Sequence, residues 1–263
     1  MNKVDFGHGV IYEGDCLEVL PILSGQSIDL IVTDPPYNVS KQGGNLQNIL
    51  NGKKHGGKNA GRRDFGEWDY HFNPQIYVKY FDSLLSNNGQ SYIFGLTDVV
   101  ELWLTVLKER FDGVKLMDWI KPDPVPQIRQ RHWCSANEFF IWAWRGKYTF
   151  NYLGHRKMFT YQFYQAPKQQ KERIHPTQKP LKLIEKLILV SSNPNETVLD
   201  CFLGSGTTAV AAYHTGRRWI GIEKEPKYFD LACQRIENEM KQPSMFDEWT
   251  QQNNPLAPAL PGC

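Results

Sequence analysis

The chain has 263 residues, of which 41% are hydrophobic, and its formal net charge is only +2. This composition supplies a sizeable core and excludes a globally disordered chain. No apolar run approaches the roughly 20 residues that span a bilayer, and the N-terminal residues lack a signal peptide's apolar stretch. We therefore expect a soluble, cytoplasmic protein without membrane contact. Five scattered cysteines without a CxxC pair predict neither a disulfide framework nor a metal site.

The first third of the chain predicts a strand, a helix and a second strand. Residues 9–14 form the first strand, the apolar spacing after Asp15 predicts a short helix, and residues 27–34 form a continuous apolar run. Such runs are typical of strands that are buried on both faces of a parallel sheet. Residues 38–72 lack periodicity and are rich in Gly, Asn and Lys, which predicts a long mobile loop.

The middle of the chain combines regular patterns with an irregular stretch. Helices are predicted over residues 74–85 and 98–110, with a strand over 90–94 between them. Two β segments follow within residues 112–142. Residues 145–173 are rich in Tyr, Phe, Gln and Lys without clear periodicity, and we interpret them as an inserted recognition element.

The last third returns to strands that alternate with helices. The predicted elements are a helix over 181–192, a strand over 196–202, a helix from 207, a strand over 217–223 and a helix over 226–240. This alternation favours an α/β domain with a mostly parallel, doubly wound sheet and helices on both faces.

The residues Asp34, Pro35, Pro36 and Tyr37 directly follow the apolar run, where ligands bind in open α/β sheets. A carboxylate from Asp34 and a carbonyl from Pro35 can accept both N–H bonds of an aromatic amino group and favour a nucleophilic nitrogen. Two prolines stiffen the turn, and Tyr37 offers a ring on which an extruded base can stack. The alternative is a rigid turn whose aspartate caps a helix.

A glycine-containing turn, DCFLGSGTT at 200–208, follows a second predicted strand. Gly204 and Gly206 allow a ligand to approach the backbone at a helix N-terminus, and Glu223 is spaced to bind ribose hydroxyls. Asp200 would repel a pyrophosphate but suits a cationic ligand. A nicotinamide oxidoreductase and a purely structural turn are the alternatives.

The order of these motifs resembles that of the DPPY amino-methyltransferases of DNA in their circularly permuted β-class arrangement. The target-base motif at 34–37 comes first, and HPTQKP at 175–180 then precedes the turn at 200–208 and GIE at 221–223. The resemblance spans about residues 9–240. It implies a seven-stranded Rossmann-like sheet, S-adenosylmethionine as the methyl donor, and direct transfer to adenine N6 or cytosine N4 in flipped-out DNA.

The resemblance also divides the chain and assigns its cofactor contacts. The implied parts are the first catalytic part (1–120), a β extension with the target-recognition region (121–173), the cofactor-binding part (174–240) and an irregular tail (241–263). The implied cofactor-binding residues are Asp15, Cys16, Asp34, Lys179, Asp200, Phe202, Gly204, Ser205, Gly206, Thr207 and Glu223.

Individual roles follow from the matched positions. Asp15 would accept a hydrogen bond from the cofactor's adenine amino group, with a helix N-cap as the competing account. Lys179 would neutralise the cofactor's carboxylate, and His175 would be a structural hydrogen bonder. Cys201 stands where the family usually has Pro, a departure that removes no polar role.

The expected partner is double-stranded DNA, held by two basic stretches. Residues 41–64 contain six basic residues against one acidic residue, and a second basic cluster runs from Arg129 to Arg173. We expect the loop 41–63 to order on DNA and the 121–173 region to read the sequence. The aromatic residues Trp133, Tyr161, Phe163 and Tyr164 are either wedges or core residues, and we expect most of them in the core. The expected DNA-binding residues are Lys53, Lys54, Arg62, Arg63, Arg129, Arg131 and Lys168. A homodimer and association with the nucleoid are expectations by resemblance.

The resemblance favours adenine N6 over cytosine N4, because adenine-modifying members carry Asp at the head of the motif. Related enzymes that methylate RNA or protein glutamine usually carry NPPY and the unpermuted order, which this chain lacks. An inactive DNA-binding subunit is a further alternative, opposed by the intact Asp34, Tyr37, Asp200 and Glu223. No cysteine lies in a Pro-Cys setting, so we expect direct transfer without a covalent enzyme adduct.

Overall fold

The computed structural model describes residues 1–36, 73–95, 97–124, 133–167 and 178–241. Within them, six helices flank one sheet, and two short 3-10 turns lie at Leu20–Ile22 and His155–Lys157. The helices are α1 (Cys16–Val19), α2 (Pro74–Leu84), α3 (Thr97–Lys108), α4 (Leu181–Ser191), α5 (Thr207–His214) and α6 (Pro226–Met240). In the described part of the chain, no helix has the length and apolar character to cross a membrane.

The sheet has nine strands among the described residues, in the order β1-β2-β9-β8-β3-β4-β6-β5-β7. The strands are β1 (Asn2–Asp5), β2 (Gly9–Glu13), β3 (Ile28–Thr33), β4 (Leu85–Gly95), β5 (Gly113–Ile120), β6 (Asn137–Trp144), β7 (Tyr161–Phe163), β8 (Thr197–Asp200) and β9 (Arg218–Glu223). Strands β2, β9, β8, β3 and β4 are mutually parallel, and β6 runs antiparallel to β4 and β5. The α/β class with a mostly parallel sheet is confirmed.

The number of strands differs from the seven that were expected. The additional strands, β1 and β7, lie at the two outer edges of the sheet. They have four and three residues, and most of their side chains are exposed. Such short edge strands bury too few side chains to leave an apolar pattern in the sequence, which explains why neither was predicted.

Two hydrophobic cores cover the two faces of the sheet, which explains the apolar run of β3. Ile31 packs into the core beneath α1, α2 and α3, whereas Leu30 and Val32 pack into the core beneath α4, α5 and α6. All three side chains are buried. The strand is therefore apolar at successive positions because side chains on both of its faces leave water.

Parallel pairing brings the carboxyl ends of the central strands to one edge of the sheet. Leu30 and Ile31 of β3 pair with Val198 and Leu199 of β8, and β8 pairs on its other side with β9. Open α/β sheets bind ligands at this edge. The two motifs found in the sequence thus follow neighbouring strands.

Candidate functional site

A buried hydrogen bond joins the ends of β3 and β8. The hydroxyl of Thr33 donates to Oδ1 of Asp200 over 2.8 Å, although the two residues are 167 positions apart. Asp34 begins the target-base motif immediately after Thr33, and Asp200 begins the glycine-containing turn. The described part of the first motif therefore lies beside the second motif at one edge of the sheet.

Asp200 is buried and held by three donors. In addition to the bond from Thr33, Oδ1 accepts from the backbone N–H of Phe202 over 3.1 Å, and Oδ2 accepts from the Thr208 hydroxyl over 2.6 Å. Burial raises the pKa of Asp200 to about 6, and these hydrogen bonds oppose the shift. The fold thus buries a carboxylate at the start of the turn, where its charged form is energetically unfavourable.

Glu223 provides a second buried carboxylate beside the same turn. Oε2 accepts from the backbone N–H of Gly204 over 2.7 Å, and Oε1 accepts from that of Glu225 over 2.9 Å. Burial raises the pKa of Glu223 to about 7, and the nearby charge of Asp200 adds to the effect. Two carboxylates that repel each other are therefore fixed around one glycine bend.

The bend depends on backbone conformations that favour glycine. Gly204 has a φ of +55° and Gly206 a φ of +79°, both in the left-handed region. A Cβ on Gly206 would lie 3.3 Å from the Cβ of Ala232 in α6. Gly206 thus lets the N-terminus of α5 pack closely against α6.

The two buried carboxylates, Asp200 and Glu223, fit S-adenosylmethionine, the methyl donor that the resemblance implies. Within the described ranges, neither Asp200 nor Glu223 forms an ion pair. A ligand with a sulfonium, an ammonium group and ribose hydroxyls would supply the positive charge and the donors that these buried carboxylates favour. A pyrophosphate would meet two carboxylates, which argues against the nicotinamide alternative.

Asp15 and Cys16 lie at the carboxyl end of β2, close to the same edge. Oδ1 of Asp15 accepts from the backbone N–H of Leu17 and caps α1, and Oδ2 pairs with Lys224 over 3.0 Å. The N-cap account of Asp15 is therefore what the structure shows, and a cofactor contact stays a proposal. The Cys16 thiol is buried, which raises its pKa to about 12.

Lys179 lies directly before α4 and contacts the target-base motif. Its ammonium donates to Oδ2 of Asp34 and lies 3.4 Å from Oε2 of Glu138. Burial alone would lower the pKa of Lys179, but the ion pairs with Asp34 and Glu138 outweigh burial and raise it. Lys179 therefore remains a cation beside the carboxylate expected to bind the target base.

Three further expected cofactor residues, Phe202, Ser205 and Thr207, lie in or beside the bend and contact neighbouring helices. The Phe202 ring packs at 5.5 Å from the ring of Tyr77 in α2. Ser205 and Thr207 are buried, and both bond to the guanidinium of Arg235 in α6. Their side chains thus support the bend from the α6 side.

Several expected residues lie outside the described part of the chain. They are Tyr37, His175, Lys53, Lys54, Arg62, Arg63, Arg129, Arg131 and Lys168. The expected mobile loop 38–72 and the tail beyond residue 241 also fall there, and these expectations stay predictions.

The placement of most recognition-region aromatics in the core was wrong. Trp133 is 96% exposed, Phe163 60% and Tyr161 41%, whereas Tyr164 packs against the core. Phe159, Tyr161 and Phe163 form a row of ring contacts at 5.1 and 5.5 Å. Strand β7 is a short edge strand, and Tyr161 and Phe163 both point to its exposed face.

Sequence reasoning missed three residues that shape the site. Thr33 links the two strand ends, Glu138 pairs with Lys179, and Arg235 braces the glycine bend. Thr33 gave a weak signal, because it is the one hydroxyl-bearing residue within the buried strand β3. Glu138 and Arg235 gave none, since their partners are distant in sequence.

Comparison with known proteins identifies the family of this chain. The model of the DNA methylase family, N6_N4_Mtase, matches residues 28–234. The Type II methyltransferase M.HinfI of Haemophilus influenzae is 33% identical over 86% of this chain and 67% of its own length. The Type II methyltransferase M2.MboI of Moraxella bovis is 32% identical over 88% of this chain and 91% of its own.

Solved structures show the same fold. The M1.HpyAVI–SAM complex matches with a TM-score of 0.63 and 28% identity, over 86% of this chain and 98% of that one. The cytosine-N4-specific PvuII DNA methyltransferase matches with a TM-score of 0.64 over 89% of this chain and 91% of that one, but at 19% identity it supports the fold alone. The chain belongs to the DNA methylase family and is a DNA methyltransferase.

Proposed function

We propose that this enzyme transfers a methyl group from S-adenosylmethionine to N6 of an adenine that is flipped out of double-stranded DNA. The observation that carries the proposal is the 2.8 Å bond between Thr33 and Asp200, which joins the two motif-bearing strand ends. The motif order, with the target-base motif before the glycine bend, supports the permuted β-class arrangement.

The carboxylate of Asp34 and the carbonyl of Pro35 accept the two N–H bonds of the target amino group. This contact localises the nitrogen lone pair toward the methyl donor. Pro35 and Pro36 limit the backbone freedom of the turn, and Tyr37 stacks on the extruded base. S-adenosylmethionine supplies an electrophilic methyl group when it is bound.

Asp200 and Glu223 hold the donor at the bend. Asp200 would balance the charge of the cationic methionine part, and Glu223 would accept from the ribose hydroxyls. The backbone at Gly204 and Gly206 leaves room for close approach, with Phe202 as one wall. The remaining proposed contacts are those of Asp15, Cys16, Asp34, Lys179, Ser205 and Thr207.

DNA is held by the recognition region and by the basic loop 41–63. No acidic residue occurs between Glu138 and Glu172, whereas this stretch is rich in Lys and Arg. The row Phe159, Tyr161 and Phe163 adds exposed rings on which nucleobases can stack. The short recognition region also leads us to propose a homodimer, which light scattering of the purified protein would test.

Product analysis tests the proposed function. The enzyme is incubated with methyl-labelled S-adenosylmethionine and duplex DNA, and the DNA is digested to nucleosides. We expect the label in N6-methyldeoxyadenosine. Label in N4-methyldeoxycytidine would move the assignment to the cytosine alternative, and the absence of label would support an inactive subunit.

A further inference from the structure

Four charged side chains of alternating sign form a row that ends at the target-base motif: Lys121, Glu138, Lys179 and Asp34. Lys121 pairs with Glu138 over 2.5 Å, Glu138 with Lys179 over 3.4 Å, and Lys179 with Asp34. The Lys179 side chain is only 7% exposed. Among the described residues, these ion pairs connect the residue after β5, strand β6, the residues before α4 and the residue after β3.

The sheet topology explains how these residues meet. Strand β6 is antiparallel to β4, so its first residues lie at the same edge as the carboxyl ends of β3 and β4. Glu138 lies two strands away from Asp34. Lys179 bridges this gap, with its ammonium 5.4 Å from the ring centre of Phe94 in the intervening β4.

Aromatic packing anchors the Lys121 end of the row, and two lysines hold Glu138 in its charged form. The Lys121 ammonium lies 4.9 Å from the ring centre of Trp119, a buried residue. Burial opposes the charge of Glu138, but Lys179 and Lys121 lower its pKa, so Glu138 remains a carboxylate. The Lys179 ammonium is consequently shared between two anions.

We propose that Glu138 is a positioning residue, which holds Lys179 so that Asp34 presents its carboxylate to the target amino group in one orientation. The inference rests on the proposed function, in which Asp34 accepts from that group. Two prolines already restrain the backbone after Asp34, so the carboxylate's rotation is the main freedom left. A misplaced acceptor lowers the rate of transfer without weakening donor binding to the same degree.

The test compares Glu138→Gln with a matched control. E138Q keeps the shape of the side chain and removes its charge. Glu185→Gln makes the same change at another buried carboxylate, which pairs with Lys182 and His214 and with no member of the row. Total label transferred to DNA is measured, so the result does not depend on which base is methylated.

We expect E138Q to lower kcat by about 10- to 100-fold and to change the KM for S-adenosylmethionine by less than about threefold. E185Q should keep its kcat within about twofold of the wild-type value, even if its melting temperature falls. An E138Q kcat equal to that of the wild type would overturn the inference. So would a loss of the same size in E185Q.

A double-mutant cycle with Lys179→Met separates positioning from a general structural role. If Glu138 acts through Lys179, the E138Q/K179M enzyme should have the same kcat as K179M, within about twofold. A further loss as large as that of E138Q alone would contradict action through Lys179.

A second variant covers the case in which E138Q does not fold. Lys121→Met removes the second lysine that pairs with Glu138. The kcat of K121M should fall while its KM for S-adenosylmethionine is unchanged. A kcat of K121M equal to that of the wild type would then overturn the inference.

The outcomes also separate this inference from the proposed function. A wild-type enzyme that labels no adenine contradicts the proposed function, whatever E138Q does. A wild-type enzyme that labels adenine, combined with an unimpaired E138Q, contradicts the positioning role alone.

Discussion

Asp200 and Glu223 carry charges that the ligand-free fold tolerates poorly. Burial raises the pKa of Asp200 to about 6 and that of Glu223 to about 7, from ordinary values of 3.8 and 4.5. Between these ordinary and raised values the folded protein holds more protons than the unfolded chain, so its stability falls as the pH rises through about 4 to 7. We infer that a bound cationic ligand offsets this loss of stability, because its positive charge stabilises the two buried carboxylates.

Asp200→Asn should therefore stabilise the ligand-free protein while weakening donor binding. The free energy of unfolding at about pH 8 should rise by about 1–3 kcal/mol, because the buried charge is gone while its hydroxyl partners can still bond to an amide. Denaturant unfolding and calorimetric titration with S-adenosylmethionine measure the two effects. Asp29→Asn, at the other end of the β3 region, should not affect donor binding. A destabilised D200N that binds the donor normally would contradict the account.

Donor affinity should also depend on pH. As the pH falls below about 7, Glu223 and then Asp200 take up protons and lose the charge that favours the donor. We expect the dissociation constant of S-adenosylmethionine to rise by about tenfold or more between about pH 8 and pH 5.5. An affinity that stays constant over this range would show that the two carboxylates do not contact the donor's charge.

At the scale of elements, the glycine bend and the edge strand β7 contribute to function in different ways. The bend needs both a left-handed backbone at Gly206 and close packing of α5 on α6. Strand β7 pairs with the carboxyl half of β5, which places Phe163 beside Ile120 near the edge that carries the site. One element therefore shapes the donor site, and the other presents rings toward the proposed DNA surface.

Gly206→Ala and Gly7→Ala separate backbone strain from crowding. Both glycines have a φ near +80°, but a Cβ on Gly7 would meet no atom within 4 Å. We expect G7A to cost about 1 kcal/mol of unfolding free energy and G206A about 2 kcal/mol or more. Only G206A should weaken S-adenosylmethionine binding. Equal costs and equal donor affinities would contradict a role for the bend.

The exposed rings of β7 should contribute to DNA binding. Tyr161→Ser combined with Phe163→Ser should raise the dissociation constant for duplex DNA by about tenfold, because base stacking is lost. Ile22→Ser removes a similarly exposed apolar side chain, 61% exposed, from the turn after α1 and should have no effect. If the β7 variant dissociates a dimer but binds DNA normally, the rings form a subunit interface instead.

Element prediction succeeded where burial leaves a pattern. The bounds predicted for the last helix agree with α6, and the helix predicted over 181–192 extends one residue beyond α4. Strand β8 ends two residues earlier than predicted, at Asp200, whose side chain bonds to the N–H of Phe202. Strands β1 and β7 had no apolar alternation to reveal them.

At the scale of the whole molecule, function depends on neighbours that are distant in the chain. Periodicity predicted β3 and β8 separately but not their pairing, because strand order leaves no local signal. The row from Lys121 to Asp34 shows the same limit, since each ion pair crosses between elements. The chemistry of the motifs could be predicted from residue types, and the residues that orient them could not.

The single-turnover rate of methyl transfer by Asp34→Asn, at saturating S-adenosylmethionine and DNA, tests the central claim most directly. Saturation removes any contribution of Asp34 to binding, so the rate reports the transfer step alone. We predict a fall of at least about 100-fold, because the amide replaces an acceptor aimed at the target amino group. A rate that returns to the wild-type value at saturation would contradict a methyl transfer centred on the joined ends of β3 and β8.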